Sequence, residues 1–238
     1  IPLVPQAVAL LVANGHKVLI ESGAGLAADF SKEKYVNAGA HIVYNSAEIF
    51  KADIILKIAP PCLEEIEMMT PNRTLFSALH FTGQDATYFQ KLLNRKITAI
   101  SFEHTRDESG SYPVTQIMSE IVGSTSIFIA SHFLSSLKYG RGSMLGGFSG
   151  ITPTEVLIIG AGTVAEFAAK AALGHGAYVK VFDNSVYKLR RLQNRLNTTV
   201  FTSILQPRVL LKSLKTADVV ISALFSPDGR APVIVTED

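Results

Sequence analysis

Short apolar runs alternate along the chain with segments in which apolar residues recur at helical spacing. Pro5 suits the first turn of a helix through Val8, Leu11 and Val12 that stops at Asn14-Gly15, and a strand is predicted over Lys17 to Glu21. Ser31 then caps a short helix ending at Ala38-Gly39, His41 to Tyr44 reads as a strand, and Ser46 opens a further helical turn. Strands follow at Asp53 to Ile58, Thr74 to Leu79 and Thr98 to Phe102, with a helix over Thr87 to Leu93 between the last two. Strands alternating with helices predict a parallel sheet covered on both faces.

From Thr115 to Leu137 the pattern becomes one long helix, after which Gly140, Gly142, Gly146, Gly147 and Gly150 crowd into a loop. A second alternating unit begins at Val156. The expected class is therefore α/β, with two Rossmann-like doubly wound parallel-sheet domains, residues 1–114 and 139–238, joined by a helix over 115–138. The stretch Ile121 to Leu137 contains Gly123, six Ser or Thr residues and His132. It reads as a buried helix that falls short of spanning a bilayer.

The length of 238 residues allows one large domain or two modest ones and a core that needs no staples. With 47% hydrophobic and 18% charged residues the chain is neither disordered nor a solvated coiled coil. A net charge of +2 without a block of like charge speaks against nucleic acid as a partner. A lone cysteine, Cys62, excludes an intrachain disulfide and a cysteine metal cluster. Together with an opening, Ile1 to Pro5, that lacks the basic n-region of a secretory signal and runs directly into an amphipathic segment, it leads us to expect a cytoplasmic protein.

The clearest motif opens the second unit. Val156 to Ile159 is a continuous apolar strand, Gly160-Ala-Gly162-Thr163-Val164-Ala165 is a turn, and an alanine-rich helix follows. Gly160 permits the tight turn, Gly162 lets backbone approach a pyrophosphate, and Ala165 is small enough for the helix to lie on the strand. The helix N-terminus offers N–H groups and partial positive charge to phosphates. The next predicted strand, Tyr178 to Phe182, ends in Asp183, placed to accept hydrogen bonds from the ribose hydroxyls and to repel a 2′-phosphate, favouring NAD over NADP. A tight strand-to-helix turn with no ligand is the plainer alternative.

In the first unit, groups of catalytic type fall at the carboxyl ends of predicted strands, where parallel sheets collect ligands. Lys57 closes one strand, His80 follows another, and Glu103-His104 follows the third. Alternatively, Lys57 reaches to solvent and His80 is a satisfied core residue. The remaining histidines, His16, His41, His132 and His175, sit at turns or on helices and read as structural; no pair has the spacing of a helical zinc site, so no metal is expected. There is no Gly-x-Ser-x-Gly elbow and no P-loop.

The segments Leu56-Lys57-Ile58, Leu79-His80-Phe81, Glu103 with Asp107 to Gly110, Met118-Ser119-Glu120, Gly140-Arg141-Gly142 with Leu145-Gly146-Gly147, the Gly160 to Ala165 turn and Gly229 to Pro232 together resemble the alanine dehydrogenase family over essentially the whole chain. The nucleotide-binding subunit of nicotinamide nucleotide transhydrogenase is a relative with the same turn; the histidine after the fourth strand and the Met-Ser-Glu segment resemble the dehydrogenase. The resemblance implies reversible, NAD-dependent oxidative deamination of L-alanine to pyruvate and ammonium. It also implies that Lys57 binds the substrate carboxylate and carbonyl and that His80 is the catalytic acid and base. Ser119, Asp183 and Lys188 match positions that contact the dinucleotide, and Ala223, Leu224 and Phe225 would line its adenosine or ribose side. A homo-oligomer is implied as well, with the long helix as a candidate surface. The resemblance places a substrate-binding Arg immediately ahead of Ile1 and an Asp beyond Asp238. With only about four strands expected after Gly140, the nucleotide domain is expected to be incomplete at its C-terminal side. Open alternatives are a transhydrogenase subunit that works with membrane partners and a non-catalytic NAD-binding protein.

Overall fold

The computed structural model describes residues 1–81, 83–224 and 232–236. The chain divides into two compact units, Ile1–Arg106 and Asp107–Asp238.

The first unit runs α1 (Pro5–Ala13), β1 (Leu19–Glu21), α2 (Lys32–Asn37), β2 (His41–Val43), α3 (Ser46–Ile49), β3 (Ile54–Leu56), α4 (Leu63–Met68), β4 (Thr74–Ser77), α5 (Ala86–Asn94) and β5 (Thr98–Ser101). All pairing is parallel, but the strands form two sheets, β1-β2 and β3-β4-β5, instead of one. Each sheet has its own core: Val8, Val18, Tyr35 and Ala40 in one place, Phe50, Ile55, Ile66, Leu75, Leu79 and Leu92 in the other. Ser31 caps α2 by accepting from the N–H of Lys34. α3 starts at Ser46, but its cap is Asn45, whose side chain accepts from the N–H of Ala47 at 3.0 Å. The strands are shorter than predicted. β4 in particular stops at Ser77, so Ala78 and Leu79, although buried, belong to the loop that delivers His80.

In the second unit α6 (Pro113–Ser135) precedes β6 (Glu155–Ile159), α7 (Thr163–Gly174), β7 (Tyr178–Phe182), α8 (Val186–Leu196), β8 (Phe201–Ser203), α9 (Pro207–Leu214) and β9 (Val219–Ser222). The parallel sheet has the order β8-β7-β6-β9, with the direction of winding reversing between β6 and β9. That order is the doubly wound pattern, and its reversal point is where such sheets bind ligands. Successive residues of β6 serve opposite cores: Val156 and Ile158 pack with Ala165, Ala168 and Ala172 of α7, whereas Leu157 and Ile159 pack with Leu210 of α9. All four strand residues are at most 3% exposed, which is why β6 reads as an unbroken apolar run and not as an alternation.

The long helix departs from expectation. By length and apolarity α6 would qualify as a membrane span after all, and it is not a buried helix, since only Gly123, Ile127 and Leu134 are buried. Those three lie along one face, against α7, while Ile121, Phe128, Ile129 and Phe133 are exposed. Gly123 decides the packing. A Cβ there would meet the Val164 carbonyl oxygen at 2.4 Å and the Ala168 nitrogen at 3.0 Å, so the two helix backbones nearly touch. α6 is thus part of the second unit's core, not a free-standing connection.

Beside this core Glu166 is almost completely buried and paired to Lys170 at 2.7 Å and Arg195 at 2.9 Å, tying α7 to α8. Burial pushes its carboxyl up, but the hydrogen bonds and charges of Lys170 and Arg195 outweigh it and hold the group below the usual carboxylate value. A depressed folded-state value means the stabilisation is present above the unfolded-state value and is lost as pH falls through the folded one. We expect Glu166→Gln to lower the urea midpoint at neutral pH by the equivalent of about 1–3 kcal/mol and the deficit to shrink below pH ~4. A deficit independent of pH would assign the effect to packing.

Candidate functional site

The three-stranded sheet of the first unit aligns the carboxyl ends of β3, β4 and β5, and a polar group follows each strand. Lys57 stands one residue beyond β3, with its N–H donating to the Phe76 carbonyl. Its ammonium does not run free to solvent: it contacts both carboxylate oxygens of Glu65, at 2.6 and 2.7 Å. Glu65 in turn accepts from the N–H of Cys62 at 2.8 Å, at the start of α4. Burial pushes the Glu65 carboxyl up, but Lys57 and the Cys62 N–H outweigh it, so it is held ionised. In the adjoining core the Tyr88 hydroxyl is buried without a partner, and burial together with the charge of Glu65 pushes it up to about 12.

His80 follows β4 and is set by Glu103, which follows β5. Glu103 Oε2 accepts from the backbone N–H groups of both Leu79 (3.1 Å) and His80 (3.2 Å), and from the Ser101 hydroxyl at 3.2 Å. Its other oxygen faces His80 Nδ1 at 2.9 Å. The backbone at His80 is left-handed, with φ of 44°, a conformation a non-glycine residue keeps only when its surroundings enforce it. The imidazole itself is 58% exposed, so the core-histidine alternative is wrong and the ring is accessible. Burial pushes the Glu103 carboxyl up, yet the two N–H groups, the His80 ring and Ser101 together hold it below the usual range. The arrangement is an anchored, solvent-facing imidazole with a fixed acceptor behind it, the geometry a proton-transfer group needs.

The second unit holds the glycine turn. Gly160 has φ of 111°, and a Cβ there would meet the Ala223 carbonyl oxygen at 2.5 Å, so its glycine is required by the fold alone. Gly162 is different. Its φ of −85° is open to any residue and, among the described residues, nothing lies within 4 Å of a Cβ, so no described contact demands glycine there. Gly162 is also the N-cap of α7, and no side chain caps that 12-residue helix. Room above Gly162 together with an uncapped N-terminus fits a pyrophosphate. Asp183 stands at the end of β7 with one carboxylate oxygen on the Ala161 N–H at 2.8 Å and the other on the Ser185 N–H at 2.7 Å. An ionised carboxylate accepts about four hydrogen bonds, which leaves each oxygen a site for a ribose hydroxyl.

Thr163 and Val164 form the first turn of α7, half-buried. Ala223 and Leu224 continue from β9 beside Gly160, with the Ala223 N–H on the Ile159 carbonyl. Lys188 is exposed in the first turn of α8, its N–H on the Ser185 hydroxyl at 3.3 Å. Ser119 lies one helical turn ahead of Gly123, on the face of α6 that runs past Val164, its hydroxyl donating to the Thr115 carbonyl at 2.8 Å. Phe225 lies outside the described residues, as do Gly229 to Ala231. Among the described residues no cluster of His, Cys, Asp and Glu is arranged to hold a metal ion.

Residue spacing does not reveal Glu65, eight residues from Lys57, and although Glu103 is a candidate at a strand end, nothing in the spacing pairs it with His80, 23 residues away. The one signal in the sequence is that Glu103 falls at the end of the strand after the one that precedes His80.

Comparisons with known proteins identify the family. Residues 1–122 match the family described as the alanine dehydrogenase/PNT N-terminal domain, and residues 126–238 match the corresponding C-terminal domain. An alanine dehydrogenase of Methanococcus maripaludis is 35% identical over the whole chain, which spans 64% of that relative's length. A solved L-alanine dehydrogenase superposes with a TM-score of 0.91 at 33% identity, over 99% of this chain and 65% of that one. A transhydrogenase from Sinorhizobium meliloti superposes with a TM-score of 0.81 at 22% identity, over 96% of this chain and 67% of that one, a likeness of fold. With both domain types matched in order along it, the chain belongs to the alanine dehydrogenase/PNT family.

Proposed function

We propose that the protein catalyses reversible oxidation of L-alanine by NAD, with water, to pyruvate, ammonium, NADH and a proton. The observation that carries this reading is the exposed His80 imidazole anchored on Glu103, at the sheet edge where ligands of such folds collect. NAD supplies the hydride acceptor when bound, and the chemistry left to the protein is proton transfer, charge stabilisation and positioning.

In this reading Lys57 binds the substrate carboxylate. Its ammonium already spends contacts on Glu65, so the substrate shares that cation with an ionised acid, and Glu65 fixes where the cation stands. A fixed cation beside the reacting carbon stabilises negative charge developing on the substrate oxygen. His80 takes the proton released as the amine becomes the imine. It releases that proton to solvent and, neutral again, takes a proton from the water that adds to the imine and delivers it to the nitrogen as ammonia leaves. Asp183 with the 160–165 turn, Ser119, Lys188, Ala223 and Leu224 would hold the dinucleotide.

Asp183→Ala is expected to weaken NAD tenfold or more and to narrow the preference over NADP, measured by titration with each dinucleotide. An unchanged preference would assign the reading of the ribose to another group. Addition of NAD and L-alanine with detection of NADH separates the proposal from its alternatives. A transhydrogenase-type subunit or a non-catalytic relative binds NAD and yields no alanine-dependent reduction.

A further inference from the structure

An imidazole can serve as a base only at a nitrogen that carries no proton, and the surroundings of His80 select which one that is. Glu103 is ionised, so both of its oxygens can only accept. A neutral imidazole with Nδ1 2.9 Å from such an oxygen must carry its proton there. The carboxylate cannot turn away, because Oε2 is held by the N–H groups of Leu79 and His80 and by the Ser101 hydroxyl. Two of these donors are the backbone N–H groups of Leu79 and of His80 itself, the residue whose φ is 44°.

We propose that Glu103 is a positioning residue that locks His80 in the Nδ1–H tautomer, leaving Nε2 as the nitrogen that takes and returns the proton. The inference rests on the reading of His80 as acid and base. Glu103 does not touch the substrate in this scheme. It sets the ring's tautomer and direction, and by accepting at both the ring and the backbone it makes the two inseparable.

Glu103→Gln tests this because an amide keeps one acceptor oxygen and gains a donor. Facing two backbone N–H groups and a hydroxyl on one side, the side chain puts its oxygen there and its NH2 toward Nδ1. The ring must then accept at Nδ1 and carry its proton on Nε2, which reverses the tautomer with little change of shape. The measurement is the ¹⁵N shift pair of His80 in histidine-labelled protein at a pH where histidines are neutral, assigned by the signal lost in His80→Gln. The expected result is Nδ1–H in the native protein and Nε2–H in Glu103→Gln. NAD affinity and KM for alanine should stay within about twofold while kcat falls by roughly 10²–10⁴, the span of a lost acid or base. Glu103→Asp, which keeps an acceptor-only group, should retain the native tautomer and lose less kcat. An Nε2–H signal in the native protein overturns the proposal even if Glu103→Gln fails to fold. So does a Glu103→Gln enzyme with unchanged tautomer and kcat. A native Nδ1–H signal without alanine turnover keeps the positioning role and instead overturns the dehydrogenase reading.

Discussion

Gly160→Ala should both destabilise the second unit and abolish NAD binding, whereas Gly162→Ala should leave the fold intact and lose binding alone. The two glycines sit two residues apart in one turn, yet the structure separates their reasons. At Gly160 the backbone is at φ of 111°, and a Cβ would overlap the Ala223 carbonyl at 2.5 Å and its carbon at 2.9 Å. The overlap is with backbone that is itself hydrogen-bonded to Ile159, so no side-chain rotation relieves it. Backbone strain of this kind and overpacking each cost about 1–3 kcal/mol, which should lower the thermal midpoint by roughly 5 °C or more. At Gly162 the conformation is ordinary and the space is open. Alanine there costs at most about 1 kcal/mol as a poorer N-cap, but its methyl group fills the room assigned to the pyrophosphate. We expect a loss of tenfold or more in NAD affinity, about 1.4 kcal/mol. Thermal melting and NAD titration of the two variants check both halves. A Gly162→Ala protein that binds NAD normally would remove the turn from the binding site, and a stable Gly160→Ala protein would contradict the close approach at Ala223.

His80→Ala should lower alanine turnover by about 10⁴-fold or more while NAD affinity changes by less than about twofold. The ring is the group assigned to every proton transfer in the cycle, so its loss removes more than a single acid or base contribution of roughly 10²–10⁴. It is also 58% exposed, so truncation opens no cavity, and any fall in stability should stay within about 1 kcal/mol. Steady-state kinetics in both directions, with NAD titration as the control, distinguish this from general damage. Added imidazole should restore part of the rate. Turnover that survives the substitution would remove His80 from the chemistry.

Much of the second unit is legible in the sequence itself. β6 is a continuous apolar run because both of its faces are buried, and the glycine turn with Asp183 at the end of β7 reads as one unit because its spacing follows from a strand, a helix and a strand. The first unit is legible as alternation only. Its strands are three or four residues long, too short for periodicity to fix their ends, and their division into two sheets has no signature in the sequence. α4 escapes sequence reasoning because its six residues follow Pro60-Pro61 and carry too little pattern.

The polar partners are hidden for a different reason. Glu103 reaches His80 because β4 and β5 are neighbours in the sheet, and Glu65 reaches Lys57 because the chain folds back after β3 into α4. Such pairings are set by topology, not by separation along the chain. α6 misleads in the opposite sense. Its apolar residues surround the helix and read as burial, yet only the face through Gly123, Ile127 and Leu134 is covered. The glycine that argues in the sequence only against a membrane span is the residue that lets α6 lie on α7.

Hydride transfer from alanine is the step on which the proposed function depends. L-alanine deuterated at its α-carbon, incubated with NAD and the protein, should yield deuterium on the reduced nicotinamide together with pyruvate and ammonium in equal amounts. Bound NAD that acquires no deuterium, with no pyruvate formed, would contradict it.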